Sequence, residues 1–253
     1  MIAISLQSGS NGNSIYVEDG GVRLLFDAGI SGARAKARLA AHGVDIEDVD
    51  AVIISHDHAD HVRCAGVYAR KFKLPVWITE PTLRAAAAKG GPGRIPTVRH
   101  FQAGQTLDMG PVRIETIPTP HDGVDGVAFV VEGGSGRLGI LTDLGHVFEG
   151  LSAIVNSLDA VFLESNYDPE MLRRGPYPRF LKRRIAESGG HISNAEAAAL
   201  LGGARRLRWA CLAHLSEQNN DPDLALRTHR DMIGGALPLF VASRYEASSP
   251  FVI

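Results

Sequence analysis

Apolar residues along the chain fall into runs of two periods. Residues 2–6, 15–18, 22–26 and 51–54 are short aliphatic or β-branched runs bounded by Gly, Ser, Asn or Asp, which reads as buried strands. Over 31–42 the apolar spacing lengthens to three and four, predicting a helix with Ser31 as N-cap and Gly43 just past its end. A second helix is expected over 62–72, a strand over 75–79 and an Ala-rich helix over 81–89. From 104 to 142 the period changes to two, predicting strands at 112–117, 127–132 and 138–142. A strand at 160–164, helical pieces over 169–201, a strand at 208–212, a helix over 221–233 and a last strand over 237–242 complete the pattern. Breaks at Gly175-Pro176 and Gly189-Gly190 divide the helical stretch, and Ser193 with Glu196 has the spacing of a capping box. Two blocks of strands, each closed by helices, predict an α/β layered sandwich of two similar halves, as one domain over 1–253.

The chain has 253 residues, 45% of them hydrophobic, enough for a full core. Its net charge of −2 means that any grip on a polyanion comes from a local patch. One exists: Arg173, Arg174, Arg179, Lys182, Arg183 and Arg184, interleaved with Tyr177 and Phe180. Guanidinium pairs phosphate bidentately and aromatic rings stack on unpaired bases. The same run also reads as a solvated helix face with i,i+4 partners. Cys64 and Cys211 lie far apart with no C-x-x-C, as small core residues would, and a reduced cytoplasmic location is expected. No leader-like amino terminus and no apolar run of membrane-spanning length is seen.

The densest chemistry is Ser55-His56-Asp57-His58-Ala59-Asp60-His61, an H-x-H-x-D-H run at the end of a buried strand. Three imidazoles and a carboxylate within six residues offer four divalent-metal ligands at one point, against a bland reading as a His-rich surface turn. Asp27, His121, Asp143 and His214 also sit just after apolar strands, and strand ends on one edge of a sandwich converge. The Gly/Ser/Asn-rich loop over 7–14 is either a plain hairpin turn or a donor-rich wall. His42, His100 and His229 read as surface or capping residues, and His146 as a helix start or a neighbour of the metals. His191 precedes a helix N-terminus, a place for a substrate phosphate, a general acid or a hydrogen-bonded cap.

Asp27-Ala28-Gly29, the H-x-H-x-D-H run, then His121, Asp143 and His214 in that order resemble the metallo-β-lactamase fold superfamily over nearly the whole chain. The resemblance implies a four-layer αββα sandwich holding two divalent ions, one on His56, His58 and His121, the other on Asp60, His61 and His214. Asp143 bridges them, and Asp27 lies behind, orienting the histidines. With only N and O donors, Mn²⁺, Zn²⁺ and Fe²⁺ all suit the set. Longer strings, including Leu163-Glu164-Ser165-Asn166-Tyr167-Asp168, Gly190-His191-Ile192-Ser193-Asn194 and His214-Leu215-Ser216-Glu217-Gln218, resemble the YycJ/WalJ-type group, regarded as DNA exonucleases acting from the 5′ end. Asp60, Asp143 and His191 are then the expected catalytic groups. Ser10, Asn13, Asn166, Arg179, Arg183, Arg184 and His191 are the expected DNA contacts. A small-molecule hydrolase acting on a cyclic phosphodiester, thioester or lactone would keep the metals and make the basic helix structural. The segment Asp122-Gly123-Val124-Asp125-Gly126 departs from the group's pattern, and oligomeric state is not encoded in any motif.

Overall fold

The computed structural model describes residues 1–253. The first apolar block forms an antiparallel meander of β1 (Ile2–Gln7), β2 (Ser14–Asp19) and β3 (Val22–Phe26). Three strands then add in parallel, β4 (Ala51–Ile53), β5 (Val76–Trp77) and β6 (Val98–Arg99). Their crossovers carry α1 (Gly32–Ala40), α2 (Ala59–Val62) with α3 (Ala65–Lys71), and α4 (Glu80–Ala88). The second block repeats the plan. An antiparallel meander of β7 (Thr106–Met109), β8 (Val112–Pro118), β9 (Val127–Gly133) and β10 (Gly136–Leu141) leads into parallel β11 (Ala160–Glu164), β12 (Trp209–Ala213) and β13 (Leu239–Val241). Here the crossovers carry α5 (Leu151–Ser157), then α6 (Pro169–Arg174), α7 (Arg179–Ala186) and α8 (Asn194–Gly203), then α9 (Pro222–Ile233). The chain ends by crossing back: β14 (Phe251–Val252) pairs with β1 and completes the first of two seven-stranded sheets.

Strand alternation decides the layers. Ile15, Val17, Leu24 and Phe26 face the other sheet and share one core with Phe129, Val131, Leu138 and Ile140. The Phe26 and Phe129 rings, 5.0 Å apart, mark where the sheets meet. Opposite-facing neighbours Tyr16, Leu25 and Val52 pack under α1 and α3, while Val130, Val161 and Leu212 pack under α5, α8 and α9. Each sheet is thus covered by helices outside and by its partner inside, the αββα arrangement. Truncating a buried ring such as Phe26 to Ala would cost about 3–5 kcal/mol.

Several elements differ from expectation. The helix expected over 62–72 is broken at Cys64, giving α2 and α3. Strands β5 and β13 are short because Pro75 and Pro238 have no N–H, although their carbonyls still accept from Val52 and Ala210. Helix α5 lacks a polar cap and starts after Gly150 in the left-handed region (φ 88°), so no local signal announced it. The capping box at Ser193 and Glu196 is formed. His229 is not a surface residue: it is fully buried in α9, with Nδ1 donating to the Ala225 carbonyl at 2.8 Å.

Candidate metal centre

Asp27 follows the last residue of β3, Asp143 lies two beyond β10, and His214 follows β12. All three adopt left-handed backbone, with φ of 65°, 55° and 55°. Such a conformation in a residue with a side chain persists only where its surroundings over-determine it. Here Asp27 N–H donates to the Ile53 carbonyl at 2.9 Å, Asp143 N–H to Glu164 Oε1 at 3.3 Å and His214 N–H to Ser8 Oγ at 2.8 Å. The reversed backbone aims each side chain across the edge of the sandwich instead of along it.

Ligand atoms of His56, His58 and His121 gather within 4.8 Å of one another, as do those of Asp60, His61 and His214, and those of His56, His61 and Asp143. His61 Nδ1 donates to Asp27 Oδ2 at 2.7 Å, while Ser55 Oγ donates to Asp27 Oδ1 at 2.9 Å. His61 Nε2 is thereby turned inward, 3.3 Å from Asp143 Oδ2 and 3.4 Å from Asp60 Oδ2. His214 Nε2 lies 3.5 Å from Asp60 Oδ2, and His121 Nδ1 donates to the Gly190 carbonyl at 2.7 Å, presenting Nε2 to the cluster. His56 Nε2 and Asp143 Oδ2 are buried without any hydrogen-bond partner. Buried orphan atoms are expensive. A nitrogen lone pair and a carboxylate oxygen left facing the same point fit divalent cations.

The electrostatics divide the cluster. Burial pushes the Asp60 and Asp143 carboxyls up, but the neighbouring histidines outweigh it and hold both below the usual range. Burial depresses His61 and His214, yet the surrounding carboxylates win, raising His61 well above normal and His214 up to about 10. The other half behaves oppositely: burial and like neighbours hold His56 well below its ordinary value and His58 down to about 4. One half keeps neutral imidazole lone pairs, and the other carries a negative field that favours cations.

The loop that departs from the expected pattern wraps this site. Val124 N–H donates to Asp57 Oδ1 at 2.7 Å, and the same carboxylate takes Lys89 Nζ at 2.5 Å. Gly123 lies so close to His56 that a β-carbon there would come within 2.7 Å of the ring, so only glycine fits. A β-carbon on Gly29 would collide with the Asp60 carbonyl at 1.6 Å, which explains the small residue after Asp27-Ala28.

The expected substrate contacts separate on inspection. His191 sits at the rim, 17% exposed, with Nδ1 donating to Glu164 Oε1 at 2.7 Å and its ring 4.9 Å from that of His121. Ser10 is exposed, beside Arg244. Asn13 and Asn166 are buried, and their side chains bond within the protein. Asn13 takes Gly9 N–H on Oδ1 at 2.7 Å and turns its amide to Asp60 Oδ2 at 3.2 Å, and Asn166 donates to the His214 carbonyl at 2.7 Å. Both amides are spent on the scaffold. The basic run is split between α6 and α7 and is partly neutralised: Arg173 and Arg174 share Glu170, Arg183 pairs with Glu187, and Arg184 reaches Asp122. Arg179 has no carboxylate partner, Phe180 is 75% exposed, and Tyr177 packs beside Leu172 and Ile185 instead of offering a stacking face.

Sequence reasoning missed the role of Glu164. Fully buried, its Oε2 accepts from Leu144 N–H at 3.2 Å and Ile192 N–H at 3.1 Å, and its Oε1 from Asp143 N–H and His191. Burial pushes its carboxyl up, but the neighbouring His191 and His214 outweigh it and hold it well below the usual range. The signal was a charged residue closing the apolar strand Ala160-Val161-Phe162-Leu163. Asp122 was also missed, and its only local mark is adjacency to His121.

Residues 8–191 match the model of the metallo-beta-lactamase superfamily. The chain belongs to that superfamily, whose fold implies a dinuclear divalent metal site. It is 35% identical over 224 residues to exodeoxyribonuclease YycJ of Bacillus anthracis, spanning 87% of this chain and 84% of that protein. It is also 36% identical over 229 residues to exodeoxyribonuclease WalJ of Streptococcus pneumoniae, spanning 88% and 84%, and so falls within the YycJ/WalJ family. Among solved structures, the metallo-beta-lactamase fold protein YhfI from Bacillus subtilis superposes over 98% of this chain with a TM-score of 0.75 at 18% identity. Zn²⁺-bound PqqB from Methylobacterium extorquens does so with a TM-score of 0.70 at 17%. Both likenesses concern the fold. No helix is long and apolar enough to cross a membrane.

Proposed function

We propose that this chain is a metal-dependent exodeoxyribonuclease that shortens DNA from its 5′ end. The observation that carries the reading is a buried cluster of five histidines and two aspartates with unpartnered His56 Nε2 and Asp143 Oδ2, in a chain 35% identical to an exodeoxyribonuclease over most of its length. His56, His58 and His121 would hold one ion and Asp60, His61 and His214 a second, with Asp143 shared between them. Bound there, two divalent ions supply Lewis acidity, acidifying a water and offsetting the charge that develops on a phosphoryl group. The all-N/O donor set suits Mn²⁺, Zn²⁺ or Fe²⁺.

The chain's own groups do the rest. Asp27 and Ser55 hold the His61 ring from behind, and the Gly190 carbonyl holds His121. His191, anchored through Nδ1 to Glu164, keeps Nε2 for the substrate, where it contacts a phosphoryl oxygen or exchanges a proton with the leaving 3′ oxygen. Arg179 and the exposed ring of Phe180 supply a phosphate contact and a stacking face on the strand. Polarity from the 5′ end is carried over from the sequence resemblance as part of this proposal.

Incubating the protein and Mn²⁺ with strands labelled at the 5′ or the 3′ end tests the reading. Early loss of the 5′ label as a mononucleotide is expected. Early loss of the 3′ label alone overturns the polarity, and no release from either end overturns the nuclease reading.

A further inference from the structure

Four parallel strands of the second sheet, β10, β11, β12 and β13, lie side by side in that order. Beyond their carboxyl ends come Asp143, then Asn166, then His214, then Arg244 and Tyr245. In parallel sheets, ligands occupy the crevice outside the carboxyl ends of the strands. The first three ends build the metal centre or its wall. The fourth end, one strand spacing of about 4.8 Å further along, has no role in that centre. It opens instead onto a cavity of about 410 Å³, within the range that takes a small organic ligand.

The walls of the cavity say what fits. Leu215, Pro222, Val241 and Ala242 line it with carbon, and Tyr245, 64% exposed, adds an aromatic face. The polar groups around it are already spent within the protein. Asn220 exchanges two bonds with Asn194, each 2.9 Å, and also donates to the Ser165 carbonyl. Ser243 Oγ accepts from Tyr245 N–H and Glu246 N–H, Ser216 Oγ accepts from Asn219, Asp221 Oδ1 caps α9 by accepting from Asp223 N–H and Leu224 N–H, and Glu217 accepts from Arg244 and the Tyr245 hydroxyl. Few groups remain to read a hydrogen-bonding edge, so the occupant is held by stacking and shape. A flat ring of any hydrogen-bonding pattern meets that description.

The cavity is also tied to the loops beside the centre. Arg244 spans from one to the other: its Nη1 donates to the Leu215 carbonyl at 2.8 Å, and its Nη2 lies 3.4 Å from Ser10 Oγ on the loop beside Asp60. Leu215 directly follows His214. A polymer held at the metal centre can place its neighbouring unit in this cavity with Arg244 beside the connecting link.

We infer that this cavity is a sequence-indifferent nucleobase subsite, seating on Tyr245 the base of a nucleotide next to the scissile phosphodiester. The inference rests on the nuclease reading and adds where the strand lies. Base stacking on an aromatic side chain tolerates all four bases, which suits an enzyme that must advance along any sequence.

A coupling experiment tests it. Cleavage efficiency, kcat/KM, is measured for single strands carrying a tetrahydrofuran abasic unit at each of the first three positions, with the wild-type chain, Tyr245→Ala and Tyr245→Phe. If the base sits on Tyr245, one abasic position lowers wild-type efficiency about tenfold, and Tyr245→Ala lowers it by a similar factor on normal DNA. The two losses then do not multiply. Tyr245→Phe keeps the ring and gives up only the hydroxyl bond to Glu217, so it retains the wild-type response to the abasic unit. Losses that multiply at every position, or a Tyr245→Ala chain that matches wild type on normal DNA, overturn the subsite while leaving the nuclease reading intact. If the wild-type chain cleaves none of the strands, the nuclease reading falls and the subsite with it.

Discussion

Asp122 Oδ1 lies 3.3 Å from His58 Nε2, and Arg184 grips the same carboxylate through Nε at 2.5 Å and Nη2 at 3.0 Å. The sequence suggested Arg184 as a DNA contact. In the fold it braces a carboxylate that braces a metal-site histidine, tying α7 to the centre. Carboxylates behind a ligating imidazole fix its tautomer and ring orientation. Asp122→Ala is expected to weaken one of the two ions about 10- to 100-fold and Arg184→Ala to weaken it less, the other ion staying bound. Calorimetric titration of the metal-free variants with Mn²⁺ checks this, and two unchanged affinities would remove Asp122 from the site.

Asp143→Asn should abolish cleavage with the fold intact. Asn tolerates the left-handed backbone that Asp143 adopts, so no strain is added at φ 55°. The amide, however, cannot neutralise two cations from one side chain. Turnover of a labelled strand, thermal melting and metal content by mass spectrometry are read together. Near wild-type turnover with two ions bound would sink the shared-ligand assignment.

Glu164→Gln is expected to destabilise the chain by about 2–4 kcal/mol. Asp143 N–H, His191 and the His214 Nδ1 at 3.4 Å meet one carboxylate oxygen, and Leu144 N–H and Ile192 N–H meet the other. An amide placed either way sets its NH₂ against at least two of them. Chemical denaturation of the metal-free protein measures the loss, and a change below about 0.5 kcal/mol would mean that water replaces the carboxylate.

Arg179→Ala should lower DNA affinity and flatten its salt dependence, because Arg179 is the arginine of α7 without a carboxylate partner. One lost phosphate contact reduces the slope of log affinity against log salt by about 0.7 for a single strand. Arg183→Ala should have the smaller effect, since Glu187 already takes its charge. Equal slopes in all three proteins would show that DNA avoids this helix.

Asp159 supplies a pH dependence away from the metals. Burial raises its carboxyl, but the bond from Arg137 N–H at 2.9 Å and the pair with Arg206 outweigh it and hold it below the usual value. A depressed carboxyl stabilises the fold above its unfolded value, and that contribution fades as pH falls through the folded one. Wild type should exceed Asp159→Asn by up to about 1 kcal/mol at pH 7, discounted for the solvent around Arg206, and the difference should shrink in acid. Paired urea denaturation at pH 7 and near pH 3 reads it, and a constant difference would contradict the assignment.

The pairing of Asp122 with Arg184 bridges 62 residues, whereas Arg183 finds Glu187 one helical turn away. That contrast marks what was readable. By itself the sequence determined the strand blocks, their closing helices, the capping box and the H-x-H-x-D-H turn, because periodicity, caps and ligand density act over a few residues. It also carried the order Asp27, His121, Asp143, His214, enough to expect one centre. The tertiary structure alone decided the left-handed turns that aim Asp27, Asp143 and His214, the burial of Glu164 beneath His191, and the diversion of Asn13 and Asn166 to the scaffold. It alone returned the chain end to β1 and opened the cavity beyond β13. Each of these depends on which strand ends become neighbours, and that is settled by sheet order and register across the whole chain, where no local pattern reaches.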